Sequence, residues 1–146
     1  MGVVAAAAVC LALAWMAALS LYDVRYHRLP NALTLPGAVV VLIATAVSGH
    51  GGAACTGAIA LTALYLVVHL VSPSGMGAGD VKLAIGLGAL SGAFGLHAWL
   101  LAALGAPTFT AVAGLVARRQ ALPHGPSMCA ATALAVLLST ARLPLG

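Results

Sequence analysis

The chain has 146 residues and carries only six Lys plus Arg and two Asp plus Glu, for a net charge of +4 with neutral His. Ordinary soluble domains carry about 25% charged residues. This chain has 5% charged residues, 63% hydrophobic residues and a mean hydropathy of +1.14, which excludes a water-soluble globule, because so apolar a surface aggregates in water. Lipid is the solvent for most of it. The cations are scattered between apolar runs and form no stripe or patch, which excludes nucleic-acid binding.

Apolar stretches at residues 2–22, 32–48, 53–72, 81–93, 96–117 and 126–141 predict six helices. In hydrocarbon every backbone polar group must be paired internally, and no stretch alternates polar and apolar residues as barrel strands do. The expected fold is an all-α integral membrane bundle of about six transmembrane helices. Without an internal repeat or a long linker, residues 1–146 read as one domain.

The first stretch lacks the basic start of a secretory signal and exceeds the usual apolar core of one, so a permanent span is expected. Ala6 stands where a myristoylation signal has Ser or Thr, so no lipid anchor is expected. Asp23 closes this stretch and opens Asp23-Val24-Arg25-Tyr26-His27-Arg28-Leu29-Pro30-Asn31, in which Pro30 fixes the turn into the second helix and Asn31 is a candidate cap. Pro36 predicts that this second helix is bent or starts late. His69, in the third stretch, reads as a hydrogen-bonded packing residue rather than a proton relay.

Asp80 opens the fourth stretch, within Gly77-Ala78-Gly79-Asp80-Val81-Lys82. The two glycines allow a tight turn and leave room for another backbone. Residues 81–93 rise only about 20 Å at 1.5 Å per residue, against a hydrocarbon core of roughly 30 Å. That helix must therefore be buried among neighbours, lengthened, or set in a thinned bilayer. Gly88 and Gly92 have the small-xxx-small spacing that lets helices approach closely. Cys10, Cys55 and Cys129 each lie in apolar runs and read as packing residues. Neither they nor His27, His50 and His124 have metal-site spacing, so no metal and no cofactor is expected.

Six crossings place Arg25, Arg28, Lys82, Arg118 and Arg119 on one side and only Arg142 opposite. By the positive-inside rule the rich side is cytoplasmic and both termini lie outside. Arg118 and Arg119 read as orientation anchors on anionic lipid. The same topology puts Asp23 and Asp80, the only carboxylic side chains, at one depth on the cytoplasmic side. Each has a structural alternative: Asp80 as the N-cap of its helix, Asp23 as a partner of Arg25 or Arg28.

The Gly-x-Gly-Asp-x-Lys segment, preceded by Asp-x-Arg-x-x-x-Leu-Pro-Asn, resembles the prepilin peptidase (type IV leader peptidase) family of intramembrane aspartic proteases. Leu122-Pro123-His124-Gly125-Pro126 is similar to the Pro-x-Gly-Pro turn before that family's last helix. The resemblance implies that Asp23 and Asp80 are catalytic and that Gly77, Gly79 and Lys82, with Arg25, Pro30 and Asn31, support the motifs or the substrate. It implies a pilin-like precursor as partner, with a short basic leader and an apolar helix in the bilayer, and a multi-pass place in the bacterial inner membrane. Larger members carry a cytoplasmic part with a cysteine tetrad and methylate the trimmed product; the sequence has no such part, and no methylation is expected.

Two carboxyls held close share a proton, so one acts as general base on a water while the other hydrogen-bonds the scissile carbonyl. Lys82 reads equally as a stabiliser of the ionised state or an anchor to headgroups. The rival function is a small proton-coupled transporter or channel with Asp23 and Asp80 as ion sites, which predicts acids deeper in the spans and often repeated halves. A catalytically dead scaffold also fits the sequence.

Overall fold

The structure, a computed structural model, describes residues 2–119 and 121–142, without the side chain of Arg142. The expected isolation of that charge on the far side therefore lies outside the described residues. Among the described residues there are six helices and no strand: α1 (Val3–Tyr26), α2 (Asn31–Val47), α3 (Gly51–Val71), α4 (Ala78–Ala93), α5 (Leu96–Ala117) and α6 (Gly125–Arg142). Each predicted stretch corresponds to one helix, and the fold is an all-α membrane bundle. Helices α1, α3 and α5 are long and apolar enough to cross a membrane, while α2 and Gly125–Ala141 of α6 are apolar but shorter. Large side chains such as Leu21, Ile59, Leu104 and Leu115 are exposed on the outside, as suits a lipid-facing surface.

The helix ends differ from the sequence expectation for local reasons. Helix α1 continues to Tyr26, because the backbone keeps its helical bonds until His27 turns left-handed at φ 51° and its N–H closes on the Asp23 carbonyl at 2.7 Å. Helix α2 does not start late. Pro30 holds the N-cap position at φ −75° and ψ 134°, and its carbonyl accepts the N–H groups of Leu33 and Thr34 at 3.0 and 3.1 Å. Asn31 is thus the first helical residue and makes no side-chain cap. Pro36 falls in the second turn, where its missing N–H leaves only the carbonyl of Ala32 without its i+4 donor.

The short fourth helix is accommodated by burial. Helix α4 has 16 residues, a rise of about 24 Å, and packs against α2, α3, α5 and α6. Leu83, Ala84, Leu87 and Ala89 have no exposed surface. Leu83, Ala84 and Leu87 meet Met16 and Leu19 of α1, Leu61 of α3, Ala103 and Ala106 of α5 and Met128 of α6 in one core, while Ala89 packs with Ala54 and Ala58 of α3. Residues 16, 19 and 23 lie along one stripe of α1, and 80, 83, 84 and 87 along one stripe of α4. Each acid therefore sits on the stripe that packs into the centre.

Helix α4 approaches α3 closely because small residues meet there, as their spacing predicts. A Cβ on Gly92 would lie 2.7 Å from the Ala53 carbonyl oxygen and 2.9 Å from the Gly57 Cα. The indole N–H of Trp99 donates to the Gly57 carbonyl at 3.0 Å, joining α5 to the same contact. Trp15 of α1 similarly donates to the Leu33 carbonyl of α2 at 2.9 Å. Replacing Gly92→Ala is expected to destabilise the bundle by about 1–3 kcal/mol through overpacking. Gly52→Ala, whose Cβ would meet nothing within 4 Å, leaves stability unchanged or raised. Thermal unfolding in detergent reads both, and equal melting temperatures for the two variants would contradict this account of the α3–α4 contact.

Candidate active site

The connections at residues 27–30 and 72–77, and residues 118–119 and 121–124, all lie at one end of the bundle, where α1, α3 and α5 finish and α2, α4 and α6 begin. Asp23 occupies the last turn of α1 and Asp80 the first turn of α4, exposed by only 5% and 9%. Asp23 Oδ2 accepts the backbone N–H of Gly125 at 3.1 Å. Asp80 Oδ2 accepts the backbone N–H of Gly77 at 3.2 Å. Asp80 is therefore not an N-cap; it sits three residues after the capping position, held by Gly77, and reaches back to that residue's N–H. Neither does the structure pair Asp23 with Arg25. Two residues apart on a helix, the pair point to different faces, and Arg25 is exposed.

The two carboxyls are close enough for the charge on Asp23 to act on Asp80. Cys129, one turn into α6, is buried among the core side chains and feels the charge of both acids. Helices α1, α4 and α6 thus meet around the pair. Gly125 is what permits the contact with Asp23: a Cβ there would lie 2.5 Å from Asp23 Oδ2 and 3.2 Å from its Cγ. A side chain at residue 125 would push the Asp23 carboxyl from its present place on that N–H.

The remaining motif residues bind the first connection to the start of α4. Lys82 Nζ donates to Asn31 Oδ1 at 2.9 Å, across 51 residues of sequence. Lys82 thereby ties one motif to the other. Gly79 serves the same junction, since a Cβ on it would lie 3.1 Å from the Leu29 Cβ. Pro30 sets the entry to α2 between these contacts. Gly77 is exposed, and a Cβ there would meet only Asp80 Oδ2 at 3.5 Å and the Gly79 nitrogen at 3.9 Å. Arg25 is not brought to the acids.

Sequence reasoning passed over four groups that the fold brings to this end. They are the N–H of Gly125, the His124 imidazole, the Tyr65 hydroxyl and the Thr110 hydroxyl. His124 Nδ1 lies 2.6 Å from Thr110 Oγ1 of α5, and its Nε2 lies 3.3 Å from the hydroxyl of Tyr65 of α3. Burial holds the His124 imidazole below its ordinary pKa. Tyr65 is itself buried and lies within reach of the charge on Asp80. The available signal was that Tyr65 is the one tyrosine of the third stretch and that His124 falls inside the Pro-x-Gly-Pro turn. His69 is hydrogen-bonded, as expected: its Nδ1–H donates to the Met76 carbonyl at 2.5 Å and pins the connection that leads to Asp80. Among the described residues no group of three or more His, Cys, Asp or Glu is placed to hold a metal ion. Two buried carboxyls within electrostatic range of each other, each steadied by one backbone N–H, are groups suited to general acid–base chemistry on a water.

Residues 10–141 match the family model described as Type IV leader peptidase family, a stretch that contains both acids and all three motif segments. No curated protein and no solved structure matches the chain.

The Lys82–Asn31 bond has a measurable consequence. Hydrogen bonds that involve a charged group contribute about 1.5–3 kcal/mol, less where water competes. In a double-mutant cycle of Lys82→Met and Asn31→Ala, read by thermal unfolding, the coupling is expected at about 0.5–1.5 kcal/mol. Strict additivity of the two losses would show that the two motifs are not energetically joined through this contact.

Proposed function

The chain belongs to the type IV leader peptidase family and is a peptidase; from that premise we propose that it is an aspartic endopeptidase whose catalytic pair is Asp23 and Asp80. One observation carries the proposal. The only two carboxylic side chains of the sequence are both buried at one end of an apolar bundle, within electrostatic range of each other. Burying one acid is costly, on the order of 2.5–3.5 kcal/mol at mid-bilayer and less near its surface. Burying both together is hard to account for unless the pair has work to do.

The substrate in this proposal is a pilin-like precursor with a basic leader and an apolar helix, cut where the leader meets the helix. The chain is a multi-pass protein of the bacterial inner membrane, working as one domain, with both termini outside and the acids on the cytoplasmic side. The cation-rich connections at the same end as the acids support that orientation. The acids lie in terminal turns of α1 and α4, which fits a substrate arriving at the membrane surface better than an ion path through the middle.

The reaction follows from the pair. The ionised carboxylate takes a proton from a water as its oxygen attacks the scissile carbonyl. The protonated carboxyl hydrogen-bonds the developing oxyanion and then gives its proton to the leaving amine. Attack by water needs no covalent intermediate. The substrate must present an unwound segment, because a carbonyl inside a helix is already hydrogen-bonded. Gly77, exposed and without side-chain neighbours apart from Asp80, leaves space for such a segment beside the acid.

In membranes supplied with a pilin-like precursor, Asp23→Asn and Asp80→Asn are each expected to abolish cleavage while the protein still folds. Wild-type activity should fall at low pH, where both carboxyls are protonated, and at high pH, where both are ionised. Full processing by either Asn variant would end the aspartic reading. A separate outcome, expected from the geometry at Asp23, is that Gly125→Ala lowers the cleavage rate by about a hundredfold, the order of loss when a reacting group is displaced by an ångström.

A further inference from the structure

Residue 124 joins three elements around the acid pair. Thr110 Oγ1 lies 3.2 Å from the carbonyl of Ala106 and 2.6 Å from His124 Nδ1. On the other side of the ring Nε2 lies 3.3 Å from the hydroxyl of Tyr65. A neutral imidazole carries one N–H and one bare nitrogen, and the two hydroxyls can each donate or accept, so both ring nitrogens are satisfied at once. Burial of the imidazole, which disfavours its charged form, agrees with a neutral ring.

The chain of contacts runs from Tyr65 through His124 to Thr110 and the Ala106 carbonyl, and it adjoins the acid pair at two points. The peptide that follows His124 carries the Gly125 N–H held by Asp23. Tyr65, at the other end, lies within reach of the charge on Asp80. Each carboxyl accepts one backbone N–H, so the backbone alone does not distinguish them.

We propose that His124 is a positioning residue for the acid pair: clamped between Tyr65 and Thr110, it fixes the turn whose Gly125 N–H holds Asp23. This rests on the peptidase reading of the same site. The clamp acts through other groups and does not touch the substrate, so its loss shifts the reacting carboxyls without removing a binding contact. The effect therefore falls on kcat, with KM little changed. Because Tyr65 and His124 act as one unit, removing both costs no more than removing one.

The test uses the full chain in lipid vesicles with a precursor peptide made of a basic leader and an apolar helix of about 20 residues. Tyr65→Phe, which keeps the ring, and His124→Ala are each expected to lower kcat by about ten- to a hundredfold, with KM within about threefold. The double variant Tyr65→Phe/His124→Ala is expected to match the worse single variant. Losses that multiply, or a kcat left unchanged by either replacement, would overturn the clamp. If His124→Ala does not accumulate as folded protein, Thr110→Val combined with Tyr65→Phe runs the same cycle with the same two outcomes. Asp23→Asn and Asp80→Asn serve as controls in the same vesicles. If they still cleave, the peptidase reading fails and the clamp with it; if they are dead while the cycle is multiplicative, the clamp alone fails.

Discussion

The constraint on which the rest of this structure depends is the burial of two carboxyls in a bundle that is otherwise almost without charge. A carboxyl removed from water needs donors, and apolar helices offer few, because their backbone N–H groups are already spent within the helix. The exceptions are the first turns of helices. Asp80 uses the free N–H of Gly77 at the start of α4, and Asp23 uses that of Gly125 at the start of α6. The bundle brings the starts of those two helices to the same end as the finish of α1, so both donors lie where the acids are.

Packing in the bundle serves this junction. Helix α4 is too short to span comfortably by itself, and it is stable because four other helices surround it. The small residues of α3 and α4 allow close approach, Trp99 locks α5 onto the same contact, and the core below the acids is closed by Leu19, Leu83, Leu87 and Met128. On the polar side, Lys82 and Asn31 hold the first connection against the start of α4. The acids are thus fixed from below by apolar packing and from beside by hydrogen bonds, while Gly77 stays open.

Much of the fold was legible in the amino-acid order. All six helices can be found from hydropathy and punctuation alone, and the close approach at Gly88 and Gly92 from their spacing. Helix ends were less legible. Asp23 to Tyr26 look like a loop by polarity, yet a helix leaving the bilayer loses nothing by continuing into water until a left-handed residue such as His27 ends it. The inward faces were illegible for a different reason: α1 is apolar all round, so hydropathy does not mark the stripe that carries Met16, Leu19 and Asp23 inward. Likewise, Asn31 reads as a cap by residue type, but its side chain is taken by Lys82, a partner 51 residues away. The roles of Tyr65, His124 and Gly125 depend on contacts between α1, α3, α5 and α6 that no local pattern announces.

The account stands on the two acids being able to hold one water between them. The most direct measurement is the separation of the Asp23 and Asp80 carboxyl oxygens in an experimental structure of the protein in lipid with a precursor bound. Two hydrogen bonds to a shared water place the nearest oxygens within about 6 Å of each other, and that is the predicted result. Carboxyls held apart beyond the span of any single water, in a form that still cleaves its precursor, would contradict it.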